Sequence, residues 1–371
     1  MAVPDWPNTF GYNMFFFPVS QWVGGVFYEH THRLLASGVG LCTTVLAIWF
    51  YGKSARRFLR RLGLALVILG IGTALAVPDH WADATVVGLS GLAALVASFG
   101  WPRCEPAEPW LRVLGVVAFL AVVLQGVLGG LRVVLFKDQI GIFHATLAQL
   151  FLVLMCALAL FTSRWWQRAE LVERFPRSLV WVCAGTSLLI LTQLILGATM
   201  RHQHAGLAIP DFPLAYGKVW PAIDPQSVAR YNQQRVEIVD LNPITSLQIV
   251  LQVAHRLVAL AILCATAACA WFSWRRLGRR ATATRMALGW LGLVIAQMLL
   301  GAATIWSNKA ADIATAHVLV GALSLALGAM LTLILSRQIV FERNSPLAFV
   351  RQSKDKSGSF GARPAPAAGI Q

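Results

Sequence analysis

Phe27-Tyr28-Glu29-His30-Thr31-His32-Arg33-Leu34-Leu35-Ala36-Ser37-Gly38-Val39-Gly40 sets a carboxylate, two imidazoles and a guanidinium at the mouth of an apolar run that continues to Tyr51. Ionisable groups are costly at the edge of a membrane span, so they mark a site for a cofactor, substrate or ion. Glu29 and His32 stand three residues apart and share one helical face. His30 lies two residues from His32, about 200° round the helix, so the two cannot address one point. The His-Arg-Leu signature returns far downstream as His255-Arg256-Leu257.

Around this stretch the composition is that of a membrane protein. Of 371 residues, 57% are hydrophobic and only 13% charged, against roughly 45–50% and about 25% in soluble domains. The +15 net charge falls in short clusters between apolar runs, which is the positive-inside pattern rather than a nucleic-acid surface. Spans long enough for a ~30 Å core are expected near 28–51, 61–78, 84–100, 111–135, 139–162, 179–200, 247–272, 286–306 and 313–336. The second and third are short, so 61–100 reads either as two spans or as a re-entrant hairpin. Segment 1–27, with Pro4-Asp5-Trp6-Pro7 and an aromatic run, reads as interfacial, and the tail 337–371 as disordered. Lys- and Arg-rich loops alternate with mixed or acidic ones, placing the N-terminus and the long loop 201–246 on the outer side and the C-terminus inside. Six scattered cysteines form no Cys-x-x-Cys pair and read as small buried hydrophobes.

The chain contains a repeat. Pro4-Asp5-Trp6-Pro7 matches Pro210-Asp211-Phe212-Pro213, and His32-Arg33-Leu34 matches His255-Arg256-Leu257. Gln125, Gly129 and His144 match Gln297, Gly301 and His317. The copies share one orientation, so they should be related by a pseudo-two-fold axis along the membrane normal. Residues 28–162 and 179–336 form the two halves. The second opens with a helix near 179–200 that the first lacks, so coding sequence upstream of Met1 is expected to supply about 20 apolar residues. Residues 61–100 have no counterpart and read as an inserted hairpin.

The repeat selects four of eight histidines: His32, His144, His255 and His317. Imidazoles projecting from facing helices are how bundles hold haem iron, so His32 with His144 and His255 with His317 are the expected ligand pairs. Zinc fits less well, because no local ligand spacing exists. His30, His202 and His204 are expected around the ligands, and Arg33, Arg132, Arg201 and Arg256 as clamps for haem propionates. Three residues before His32 stands Glu29, whereas Gln252 stands before His255. Reactivity is therefore assigned to the first half, with Glu29 as its acid or base, and a spectator haem to the second.

Together, Tyr28-Glu29-His30-Thr31-His32-Arg33, Phe143-His144-Ala145-Thr146-Leu147-Ala148-Gln149, His204-Ala205-Gly206-Leu207-Ala208-Ile209-Pro210-Asp211-Phe212-Pro213, Val253-Ala254-His255-Arg256 and Ala316-His317-Val318 resemble the haem A synthase family. The resemblance covers most of the chain. It implies tandem four-helix bundles, one for substrate haem O and one for haem b, and oxidation of the haem C8 methyl to a formyl group, giving haem A for terminal oxidases. It also implies a haem O synthase as supplier, an electron carrier, and a bacterial plasma membrane or mitochondrial inner membrane. The sequence departs from the family in its missing first helix, in the 61–100 hairpin and in having no outer-loop cysteine pair. Two other readings stay open: a di-haem cytochrome b exchanging electrons with quinone, and a transporter or haem-handling protein. The oligomeric state is left open.

Overall fold

A computed structural model describes residues 3–168, 177–234 and 243–344. Among them there are helices and turns but no strands. The helices are α1 (Gly24–Trp49), α2 (Ala55–Ala76), α3 (Trp81–Gly100), α4 (Pro109–Leu135), α5 (Asp138–Thr162), the short α6 (Arg164–Arg168), α7 (Arg177–His202), α8 (Pro225–Gln233), α9 (Ser246–Leu277), α10 (Thr282–Trp306) and α11 (Ala311–Asn344). Nine of these described helices are long and apolar enough to cross a bilayer. The chain is an all-α polytopic integral membrane protein, with one helix for each expected span.

The helices overrun their apolar runs where the flanks are good helix formers. Helix α2 starts at Ala55 rather than 61, because Arg56, Arg57, Arg60 and Arg61 continue the helix while their heads can reach the interface. Helix α11 runs to Asn344, past the expected end at 336, so the start of the expected disordered tail is helical. The tail from 345 lies outside the described residues, as do parts of two loops, 169–176 and 235–242. Segment 3–23 holds two 3-10 turns, Met14–Phe16 and Val19–Gln21, and no long helix.

The contacts divide the chain into two compact units, Met1–Ser163 with Leu194–His255, and Arg164–Gln193 with Arg256–Gln371. These do not coincide with the sequence halves: the ends of α7 and α9 and the loop between them group with the first unit. There α4 packs on α1 and α5 through Phe50, Leu111, Ala118 and Leu158. Helices α2 and α3 pack on each other so closely that a Cβ on Gly63 would stand 2.8 Å from the Gly91 carbonyl oxygen. Small residues allow such approach between membrane helices. By length and composition both members of this hairpin can span.

The hairpin's ends are joined to each other. Lys53 N–H donates to the Cys104 carbonyl at 2.9 Å, Ala107 N–H to the Phe50 carbonyl at 2.8 Å, and Lys53 Nζ pairs with Glu105 at 2.6 Å. Gly52 makes this crossing, at φ +50° with no space for a Cβ against Glu105. In the second unit α10 packs on α11, and Trp290 is fully buried. Cys183 and Cys269 are buried 3.8 Å apart, as small core residues, whereas Cys42 and Cys264 face outward from their helices.

The two Pro-Asp-aromatic-Pro loops fold alike. Asp5 accepts from the amides of Phe10 and Gly11 at 2.9 and 2.7 Å, and Asp211 from those of Tyr216 and Gly217 at 2.7 and 2.8 Å. Each turn carries an isolated bridge, Thr9 with Tyr12 and Ala215 with Lys218. The carboxylate spans the amides and fixes the turn, as Asp side chains do when they bond their own downstream backbone.

Candidate functional site

At the start of α1, Glu29 accepts from the Val3 amide at 3.2 Å and from Arg33 Nη2 at 3.2 Å. Arg33 also donates to the carbonyls of Asp5 at 2.9 Å, Asn8 at 2.8 Å and Val3 at 3.5 Å. Its guanidinium is thus committed to the loop. A planar five-donor group satisfies several loop carbonyls at once.

The same loop is held in the second copy by a neutral side chain. Gln252 Oε1 accepts from the Ile209 amide at 2.6 Å, and its Nε2 donates to the Ile209 and Gly206 carbonyls at 3.2 and 3.3 Å. Glu29 and Gln252 are therefore equivalent latches as well as the point where the copies differ in charge. Sequence alone showed the difference but not the shared task, because the partners Val3 and Ile209 lie outside any helical spacing.

His30 is fully buried, with Nδ1 3.3 Å from the Thr9 hydroxyl and its ring between Phe17 and Trp22, at 5.1 and 4.6 Å. It ties segment 3–23 to α1. His32 lies on the other side of the helix and is exposed.

His144 sits one turn and a half into α5, its Cε1 3.2 Å from where a Cβ on Gly129 of α4 would stand. Gln125 Nε2, one turn earlier on α4, donates to the His144 carbonyl at 3.0 Å. The imidazole is buried beside the Gln125 backbone, within hydrogen-bonding reach of it. His32, His202 and Arg132 all lie within electrostatic reach of His144, and Arg201, Glu29 and Asp138 within reach of Arg132. The structure thus gathers Glu29, His32, Arg132, His144, Arg201 and His202 at one end of the first unit.

His202 arrives there from the last turn of α7, its ring filling the space a side chain at Gly141 would take. Gly141 is one turn before His144, and its repeat counterpart is Ala314. That break in the repeat is the signal by which the contact could have been found. His204 is exposed, with φ +54°, where the chain turns into the loop.

His255 rests on Gly197, its Cε1 3.4 Å from where a Cβ would be. His317, in the second unit, repeats the His144 arrangement: its Cε1 is 3.1 Å from a Cβ on Gly301, and its Nδ1 donates to the Gln297 carbonyl at 3.1 Å. A carbonyl on Nδ1 fixes the tautomer that leaves Nε2 as the ligating nitrogen; Gln297 Nε2 lies 3.5 Å from it. Among the described residues no three His, Cys, Asp or Glu side chains form a metal-binding group.

Comparison with curated proteins gives no match. A family model described as cytochrome oxidase assembly protein, COX15-CtaA, matches residues 80–329, which takes in His144, His202, His255 and His317 with their glycines and glutamines and leaves Glu29 and His32 upstream. Nine apolar helices, imidazoles seated on repeat-equivalent glycines and this match over well more than half the chain lead to one assignment: the protein belongs to the COX15-CtaA family of cytochrome oxidase assembly proteins.

Proposed function

We propose that the chain is a haem A synthase, oxidising the C8 methyl of haem O to a formyl group in successive hydroxylations. The observation that carries this reading is the end of the first unit, where the His144 ring, seated on Gly129, lies within electrostatic reach of His32, Arg132 and His202. That donor set fits an iron porphyrin: imidazoles suit iron, and guanidinium groups suit carboxylates.

His32 and His144 would hold the substrate iron, and Arg132 and Arg201 the propionates. When bound, the haem supplies the oxidative chemistry. Gly129 keeps α4 clear of the His144 ring, so the imidazole is oriented by packing. Glu29 and Arg33 latch segment 3–8 onto the start of α1. Glu29, within reach of Arg132, would hold or pass a proton at its carboxylate. The repeat extends the ligand reading to His255 and His317 for a haem b, with Arg256 beside it. The basic-loop pattern supports an outer-side site, and the membrane would be a bacterial plasma membrane or a mitochondrial inner membrane. Haem O would come from a haem O synthase, and electrons from a separate carrier.

Producing the protein beside a haem O source and recording pyridine haemochrome spectra tests this. Haem A should accumulate with the wild type and not with His144→Ala. Equal haem A from both, or purified protein without haem, would reject the proposal. One observation favours a second reading, a non-catalytic di-haem cytochrome b exchanging electrons with quinone: Gln252 performs the Glu29 latch without a charge. Haem bound by both halves with no haem A formed would support it.

A further inference from the structure

We infer that a groove on the outward face of α4 is a site for one phospholipid with an anionic headgroup. Helix α4 turns Leu111, Gly115 and Ala118 inward, against Phe50 and Leu158. Its other face, with Val113, Val116 and Val117, forms with Tyr51, Pro109 and Arg112 a groove of about 370 Å³. The guanidinium of Arg112 lies 5.9 Å from the Tyr51 ring centre, and its Nε is buried without a hydrogen-bond partner.

No carboxylate among the described residues pairs with Arg112. Glu105 is held by Lys53, and Glu108, one turn earlier, makes no ion pair with it. A partly buried guanidinium without an acid is costly unless an anion completes it. The bundle does not require arginine there, since the register pairing Gln125 with Gln297 pairs Arg112 with Thr284, which is fully buried.

The depth of the groove selects the ligand. Exposed Trp49 and Trp110, which pack on Trp101 and Phe161, mark the level of lipid headgroups beside Arg112. From that level Val113, Val116 and Val117 run towards the middle of the span. A phosphate at the guanidinium with an acyl chain along the valines matches both parts; a free anion matches only the first.

Native mass spectrometry of the full chain in detergent, titrated with phosphatidylglycerol or phosphatidylcholine, tests the site. The wild type should retain one more phosphatidylglycerol than Arg112→Gln, with occupancy falling about tenfold in the variant, as expected for one charged hydrogen bond. Val116→Trp, which fills the groove and keeps the guanidinium, should lose the same lipid. Phosphatidylcholine should show no such difference, and excess inorganic phosphate should not displace the bound lipid. Equal lipid binding by wild type and either variant would overturn the assignment. Indistinguishable binding of the two lipids, or displacement by phosphate alone, would do the same.

Discussion

Changing Glu29 to Gln and to Ala separates a latch from an acid. In Glu29→Ala the Val3 amide and one arm of Arg33 lose their acceptor. An unmet buried donor costs about 1–3 kcal/mol. Glu29 is 21% exposed and Arg33 9%, so water partly replaces the carboxylate, and we take about 1–3 kcal/mol for the two together. That is a roughly 5-fold to 150-fold rise in opening of the segment. Glu29→Gln keeps an oxygen for the amide, the arrangement Gln252 makes with Ile209 at 2.6 Å. It should cost no more than the ion pair, about 0–1 kcal/mol, or about fivefold in opening. Hydrogen–deuterium exchange of peptides covering residues 3–12, in detergent-purified protein, reads this opening directly. Wild-type exchange rates in Glu29→Ala would refute the latch. Haem A yield then adds the chemistry: a Gln variant with the loop closed and no haem A requires the charge, and one with both intact requires only the latch.

Three further outcomes are expected. Gly129→Ala and Gly301→Ala place a methyl 3.2 and 3.1 Å from the His144 and His317 rings, so each should lower haem retained per protein by absorbance, with overpacking of about 1–3 kcal/mol. Gly91→Ala would meet Val67 N at 2.6 Å and should lower the unfolding temperature, whereas Gly72→Ala, with nothing within 4 Å, should leave it unchanged or raise it. Asp224 caps α8, and hydrogen bonds from Ser227, from its side chain and then its amide, hold the carboxyl below the usual range. A lowered folded pKa gives stability that is complete above the ordinary value of about 3.9 and is lost as pH falls through the folded one. The unfolding temperatures of wild type and Asp224→Ala should therefore differ at neutral pH and converge in acid.

The spans were legible because apolar runs of membrane length have few alternatives, and the repeat because Pro-Asp-aromatic-Pro and His-Arg-Leu recur in the same order. Helix ends were less so: the arginines opening α2 look like loop by composition, yet they continue the helix. The mouth of the first unit was legible residue by residue but not in its division of labour. The three loop carbonyls that Arg33 serves were not foreseen, since nothing in its spacing shows which backbone will fold over it. His202 was expected only near the ligands, and its seat on Gly141 depends on a long-range contact without a counterpart in the repeat.

The stitched ends of the α2–α3 hairpin bear on how much the rest of the chain depends on it. Residues 50–53 and 104–107 already meet, so everything between them is a parenthesis in the polypeptide. Its two members grip one another through facing glycines. A segment closed at its base in this way can change in length or sequence without rerouting the chain between the helices that carry the histidines.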